Sequence, residues 1–148
     1  AMKAVKPAPT LETLDAAYRF LAEAPDVRAS RRAVMGWCFG GGWSLQFALH
    51  EPGLTAAVMY YGRLVTDPDE LKPLRAPLLG VFGNRDEGIP PAAVNEFAAA
   101  LEKGGKTFSI LRYDAPHAFA NPSNPRYDET SAGDAWSHVR AFLARHLK

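Results

Sequence analysis

A chain of 148 residues with 47% hydrophobic and 22% charged side chains is long enough to bury about two-thirds of its unfolded surface, and its composition is that of an ordinary globular domain. Lys+Arg of 17 against Asp+Glu of 16 leaves a net charge of +1 with no basic block, which argues against a nucleic-acid partner, and no apolar run approaches the roughly 20 residues of a membrane span. The single cysteine excludes an internal disulfide and leaves a zinc site short of thiolates, and the leader around Lys3, Lys6, Pro7 and Pro9 lacks the apolar core of a signal peptide, so a reducing, cytoplasmic setting is expected.

In chain order, Thr10 is expected to cap a first helix whose apolar positions Leu11, Leu14, Tyr18 and Leu21 recur at helical spacing, ending near Pro25. After the polar connection Arg28 to Arg32, the run Ala33-Val34-Met35 reads as a strand. It passes through Gly36-Trp37-Cys38-Phe39-Gly40-Gly41 into a helix running to about His50, stopped by Pro52 and Gly53. Ala56 to Tyr61 is a continuous apolar run, the mark of a strand covered on both faces, and Gly62 ends it. Pro77 to Phe82 has the same character and gives way to Gly83-Asn84. Pro90-Pro91 opens a helix with Val94, Phe97, Ala98 and Leu101 on one face, closed by Gly104-Gly105. Thr107 to Tyr113 is the last strand, followed by a proline-rich loop from Ala115 to Tyr127. A final helix carries the stripe Ala132, Ala135, Trp136, Val139, Phe142 and Leu143, and His138 and His146 on it, like His50, read as surface residues. Strands alternating with helices predict an α/β fold: one domain over residues 1–148, with a parallel sheet of about four strands and helices on both faces.

The chemistry gathers at the carboxyl ends of those strands. Gly36-x-Cys38-x-Gly40-Gly41 is a nucleophile elbow with cysteine in place of serine, a sharp turn that lifts the side chain out of the sheet. The amides that follow, beginning with Phe39, open a helix and aim N–H groups at the same spot. The third strand delivers Asp86 within Gly83-Asn84-Arg85-Asp86-Glu87, and the fourth delivers His117 within Asp114-Ala115-Pro116-His117. The order nucleophile, acid, histidine is that of the α/β-hydrolases. His117 would take the thiol proton of Cys38, Asp86 would hold the imidazole in the needed tautomer, and Phe39 N–H would face a developing oxyanion. Alone, Cys38 would read as a small buried hydrophobe, Asp86 as a turn residue and Glu87 as its solvated neighbour. Three successive strand ends in the right order favour function.

With GWCFGG, the YYG closing the second strand, GNRDEGIP and YDAPHAFANP, the chain resembles the dienelactone hydrolase (carboxymethylenebutenolidase-like) family from about Thr10 onward. The resemblance implies Cys38 as nucleophile, Asp86 as orienting acid and His117 as general base, with Trp37, Phe39, Tyr61 and Phe119 lining a pocket and no cofactor or metal. It also implies a truncated α/β-hydrolase fold, since family members carry a further N-terminal half that pairs with the nucleophile strand and supplies the second oxyanion amide, a glutamate and an arginine. A second arginine, expected shortly after the histidine, is Asn121 here, which argues against dienelactone itself as substrate. Loss of that half would bare the apolar strand edge at Ala33 to Gly36, so a homodimer through this edge is expected.

Three functions compete at this stage. The first is a cysteine-dependent hydrolase of small esters or lactones. The second is a non-catalytic or vestigial hydrolase-fold module that needs a partner chain to complete its site, and the third a redox-sensing thiol protein in which Cys38 oxidises reversibly.

Overall fold

The two uninterrupted apolar runs form the interior of the sheet. The computed structural model describes residues 6–148, so the expectation placed on Lys3 lies outside the described residues. Its elements are α1 (Pro7–Glu23), β1 (Ala33–Trp37), α2 (Phe39–His50), β2 (Ala56–Tyr60), β3 (Leu78–Gly83), α3 (Pro91–Lys103), β4 (Phe108–Tyr113) and α4 (Glu129–His146). The four strands lie side by side in the order β1-β2-β3-β4, every pair parallel. Every residue of β2 and β3 is buried, whereas β1 has a single buried position, Gly36, and β4 has none, as edge strands allow. The outer edge of β1 has no strand partner among the described residues.

Because successive side chains of a strand point to opposite faces, the sheet divides its apolar residues between two cores. Ala57 and Met59 of β2 with Leu78 and Phe82 of β3 meet α2 and α3 through Leu45, Phe47, Val94 and Phe97, and α1 closes this side with Leu11, Leu14 and Tyr18. Val58, Tyr60, Leu79 and Val81 face the other way, onto Ala135 and Val139 of α4. Each fully buried Val, Leu, Met or Phe side chain among these contributes about 1.5–3 kcal/mol.

The strand bounds agree with expectation to within a residue, and the start of the first helix differs by more. Helix α1 begins at Pro7, with Lys6 as its cap residue, and the Thr10 hydroxyl donates to Lys6 O at 2.9 Å from within the first turn. Pro7 and Pro9 are compatible with this start because first-turn amides lack intrahelical acceptors, so the missing N–H groups remove nothing. Helix α4 begins at Glu129, where Asp128 Oδ1 accepts from Ser131 N–H at 2.7 Å, a bond that holds the Asp128 carboxyl below its ordinary range.

Close backbone packing where α2 leaves β1 fixes everything downstream. A Cβ on Gly36 would lie 2.3 Å from Gly40 O, one on Gly41 2.4 Å from Tyr60 O, and one on Gly62 2.2 Å from Gly42 N. Gly40 itself has nothing within 4 Å of such a Cβ, so of the two glycines flanking Cys38 in the sequence pattern only Gly36 is sterically required. Gly36→Ala is therefore expected to cost about 3 kcal/mol or more by overpacking against backbone, while Gly40→Ala is neutral or stabilises by up to ~1 kcal/mol through its helix preference. Urea denaturation of the two variants checks this; equal midpoints would contradict it.

Candidate active site

Cys38 occupies the single residue between β1 and α2, with φ 53° and ψ −115°. This conformation costs an L-residue about 1–3 kcal/mol and persists only where the surroundings enforce it. They do so here through Cys38 N–H, which donates to Tyr60 O at 2.9 Å, and through Cys38 O, which accepts from Gly42 N–H at 3.1 Å. The thiol emerges exposed at the top of the sheet. Phe39, as the first residue of α2, has no intrahelical acceptor for its N–H.

Two loops bring the other groups to the sulfur. His117 Nε2 lies 3.1 Å from Cys38 Sγ, and its Nδ1 lies 2.6 Å from Asp86 Oδ2. A carboxylate only accepts, so Nδ1 carries the proton and Nε2 is left to face the sulfur. The Asp86 side chain is 1% exposed, and its other oxygen accepts from Gly88 N–H at 2.9 Å and Ile89 N–H at 3.0 Å. Both carboxylate oxygens are thus held, and the imidazole is oriented by a fixed partner. Among the described residues the non-glycine positive φ angles fall at Cys38, Tyr61 (34°) and Ala118 (65°), all within this cluster.

The loops after β3 and β4 are clasped together by residues that the sequence reading left out. Arg85 Nε lies 3.1 Å from Asp114 Oδ1 and its other end donates to Asp114 O at 2.8 Å. Arg85 N–H also donates to Ala115 O at 3.1 Å, and Asn84 N–H to Tyr113 O at 2.7 Å. The opposite charges of Arg85 and Asp114, each one strand-end from a site residue, were the available signal. The ion pair itself is exposed, so the backbone bonds do most of the holding.

Around the sulfur opens a cavity of about 450 Å³ lined by Cys38, Phe39, Tyr61, Arg63, Ile89 and His117 among others. It shares Phe39, Arg63 and Leu64 with a neighbouring cleft of about 610 Å³ that runs past Trp43 and Asp67. Another hollow, about 410 Å³, lies on the Asp86 side of His117 and is bordered by Arg85, Glu87 and Arg126. Of the expected lining residues, Phe39 and Tyr61 border the sulfur cavity. Trp37 does not border it. It pairs with Tyr60 across the β1–β2 register and stacks on it at 5.3 Å, in a separate groove with Tyr127 and Trp136. Phe119 is wholly buried, 5.6 Å from Tyr61 and 5.4 Å from Tyr113 between ring centroids, and sits beneath the site without lining it. Tyr61 in turn sits 5.0 Å from the His117 ring. Among the described residues no group of three His, Cys, Asp or Glu side chains is placed to hold a metal ion, and no helix is long and apolar enough to cross a membrane.

A parallel sheet with an elbow cysteine, and with an acid and a histidine delivered from later strand ends, defines the chain as an α/β-hydrolase in fold. Comparison with known proteins narrows this: the dienelactone hydrolase family model matches residues 1–147. The chain belongs to the dienelactone hydrolase family, a family of hydrolases. It is 33% identical over 152 residues to a Methylorubrum extorquens protein assigned as a carboxymethylenebutenolidase, covering 96% of this chain and 52% of that one. A Salmonella typhimurium protein assigned the same activity is 36% identical over 128 residues, covering 80% and 47%. The crystal structure of a Klebsiella pneumoniae protein assigned as a dienelactone hydrolase superposes with a TM-score of 0.90 at 33% identity, over 97% of this chain and 63% of that one. The chain therefore spans about half the length of the curated relatives it matches.

The tyrosines under the site give it an alkaline limit. Burial pushes the Tyr60 hydroxyl up to about 12. Burial likewise raises Tyr61, with the charges of Tyr60 and Cys38 adding and the Ala120 amide opposing, and raises Tyr113, aided by its bond to Asp134. The Tyr61 hydroxyl lies near the Ala120 amide but makes no hydrogen bond of ordinary geometry. A raised acid holds its proton more tightly in the native state than in the unfolded chain, so this stability is complete below the ordinary tyrosine value of 10.0 and is lost as pH climbs toward about 12. Alkaline titration at 295 nm should show these three phenols ionising together with unfolding. Their reversible ionisation near about pH 10 with native circular dichroism would contradict it.

Proposed function

We propose that the chain is a hydrolase of small ester or lactone substrates acting through Cys38, His117 and Asp86. The observation that carries this reading is the continuous chain of contacts Sγ to Nε2 at 3.1 Å and Nδ1 to Asp86 Oδ2 at 2.6 Å, built on a backbone strained at Cys38. His117 Nε2 takes the thiol proton, and the thiolate adds to the acyl carbon. Phe39 N–H stabilises the resulting oxyanion. Collapse breaks the ester C–O bond, the alkoxide leaves with the proton held on Nε2, and a Cys38 thioester remains. Water, deprotonated by His117, adds to that thioester and releases the acid and the thiol. A reducing, cytoplasmic compartment keeps the sulfur in the state this cycle needs.

Cys38→Ala is expected to lower kcat/KM toward an activated aryl ester by a factor of about 10⁴ or more. Asp86→Asn keeps acceptors for the Gly88 and Ile89 amides but turns an N–H toward Nδ1, favouring the wrong tautomer, and should cost about 10³–10⁴. Equal turnover by Cys38→Ala would overturn the reading. Absence of Cys38-dependent turnover across a broad ester panel would leave the non-catalytic module that needs a partner chain.

We also propose that the chain forms a homodimer through the Ala33–Gly36 edge. What supports this is the apolar outer edge of β1, which lacks a strand partner among the described residues and offers unpaired backbone groups to another chain. Sedimentation at micromolar concentration should return twice the chain mass of 16.1 kDa. A monomer would contradict the dimer.

A further inference from the structure

Two large aromatic side chains at the start of α2 are left out of both cores. Phe39 is 43% exposed and Trp43 is partly buried, yet neither packs into the cluster on the α2–α3 side of the sheet or into the one under α4. They meet each other instead, edge to face, with ring centroids 6.1 Å apart and planes inclined at 68°. Together they wall the cleft of about 610 Å³ that adjoins the sulfur cavity, with Leu64 and Val65 of the segment after β2 also lining it. That segment is pressed against α2, since a Cβ on Gly42 would lie 3.1 Å from Arg63 N. Cleft and sulfur cavity share Phe39, Arg63 and Leu64. Gln46, Thr66, Asp67 and Glu70 border the cleft alone, so its more polar part lies away from Cys38.

In the adduct that Cys38 forms with an ester, the oxygen on the acyl carbon faces Phe39 N–H and the departing alkoxide stands at His117 Nε2 to receive its proton. The remaining substituent leaves over Phe39, toward the cleft. We propose that this cleft is an acyl subsite with Trp43 as its specificity-determining residue, selecting esters whose acyl chain carries an aromatic ring two carbons beyond the acyl carbon, the arylpropanoyl class. This rests on the hydrolase reading above. At about 1.5 Å of rise per residue, Trp43 stands about 7.5 Å along α2 from Cys38, the reach of a 3-phenylpropanoyl group carried on sulfur. Two rings set edge to face make a corner. A third ring lying flat on one of them meets the other edge-on, and these are the two geometries that aromatic pairs favour. A straight alkyl chain gains neither contact, and a long one is carried on toward Asp67 and Glu70, where methylene groups would strip water from charge.

Two readouts on the purified chain test this, comparing the unaltered protein with Trp43→Ala and Trp43→Phe. The first is kcat/KM for the p-nitrophenyl esters of 3-phenylpropanoic, acetic and decanoic acids, which share one leaving group. The second is the Kd of 3-phenylpropanamide, an analogue that resists hydrolysis, by isothermal titration calorimetry. The unaltered protein should favour the phenylpropanoate over the decanoate. Trp43→Ala should lower the phenylpropanoate-to-acetate ratio by about tenfold or more, mainly through KM of the phenylpropanoate, and raise the amide Kd by a similar factor, while Trp43→Phe keeps part of each. Where the esters are turned over, their ratio decides: a ratio unchanged in Trp43→Ala overturns the proposal, as does an unaltered protein that favours the decanoate. If the unaltered protein turns over none of the three, the hydrolase reading fails instead, and the amide Kd alone decides whether the corner at Trp43 receives an aryl ring.

Discussion

The site depends on how closely α2 is drawn against the ends of β1 and β2. Gly36, Gly41 and Gly62 allow backbone to meet backbone at distances where a methyl group would collide. That contact leaves Cys38 only one residue in which to turn from strand to helix, hence its φ of 53°. The cost of the turn falls on the packing of the sheet, because the neighbours that impose it are Tyr60 O, on a strand buried along its whole length, and the N–H of Gly42, a buried residue of α2. A thiol held this way is fixed in position, the pre-positioning that the proposed role of Cys38 as nucleophile requires.

The same economy governs the other two groups. Asp86 is almost wholly buried, yet each of its oxygens is engaged, by two amides and by the imidazole. A carboxylate so surrounded has little freedom to swing, and its direction sets the ring's. Tyr61 and Phe119 fill the space beneath His117, while the bonds from Asn84 and Arg85 tie the acid's loop to the histidine's. Three strands therefore position Cys38, Asp86 and His117, each contributing one group where it leaves the sheet.

Much of this was legible in the residues. Continuous apolar runs marked β2 and β3 as interior strands, and the punctuation by glycine and proline located the strand ends at which Cys38, Asp86 and His117 emerge. Direction of side chains was less legible. Trp37 adjoins Cys38 in sequence, but the pleat carries it to the α4 face beside Tyr60. Phe119 lies two residues past the histidine, yet the turn at Ala118 folds it under the loop into the core. The clasp between Arg85 and Asp114 depends on two loops far apart in sequence, which local patterns do not encode. The start of α1 was misplaced because prolines read as a boundary where the first helical turn accepts them.

Family membership fixes the fold, and under the proposed hydrolase reading the contacts of this chain specify how a sulfur, an imidazole and a carboxylate would act as one unit. The most direct measurement of that unit is the intact mass of the protein after acid quench during turnover of a slow aryl ester. An acyl adduct confined to Cys38, present in the unaltered chain and lost in His117→Ala, is the predicted result. Hydrolysis without any Cys38 adduct, or an adduct that forms as fast without His117, would contradict the account.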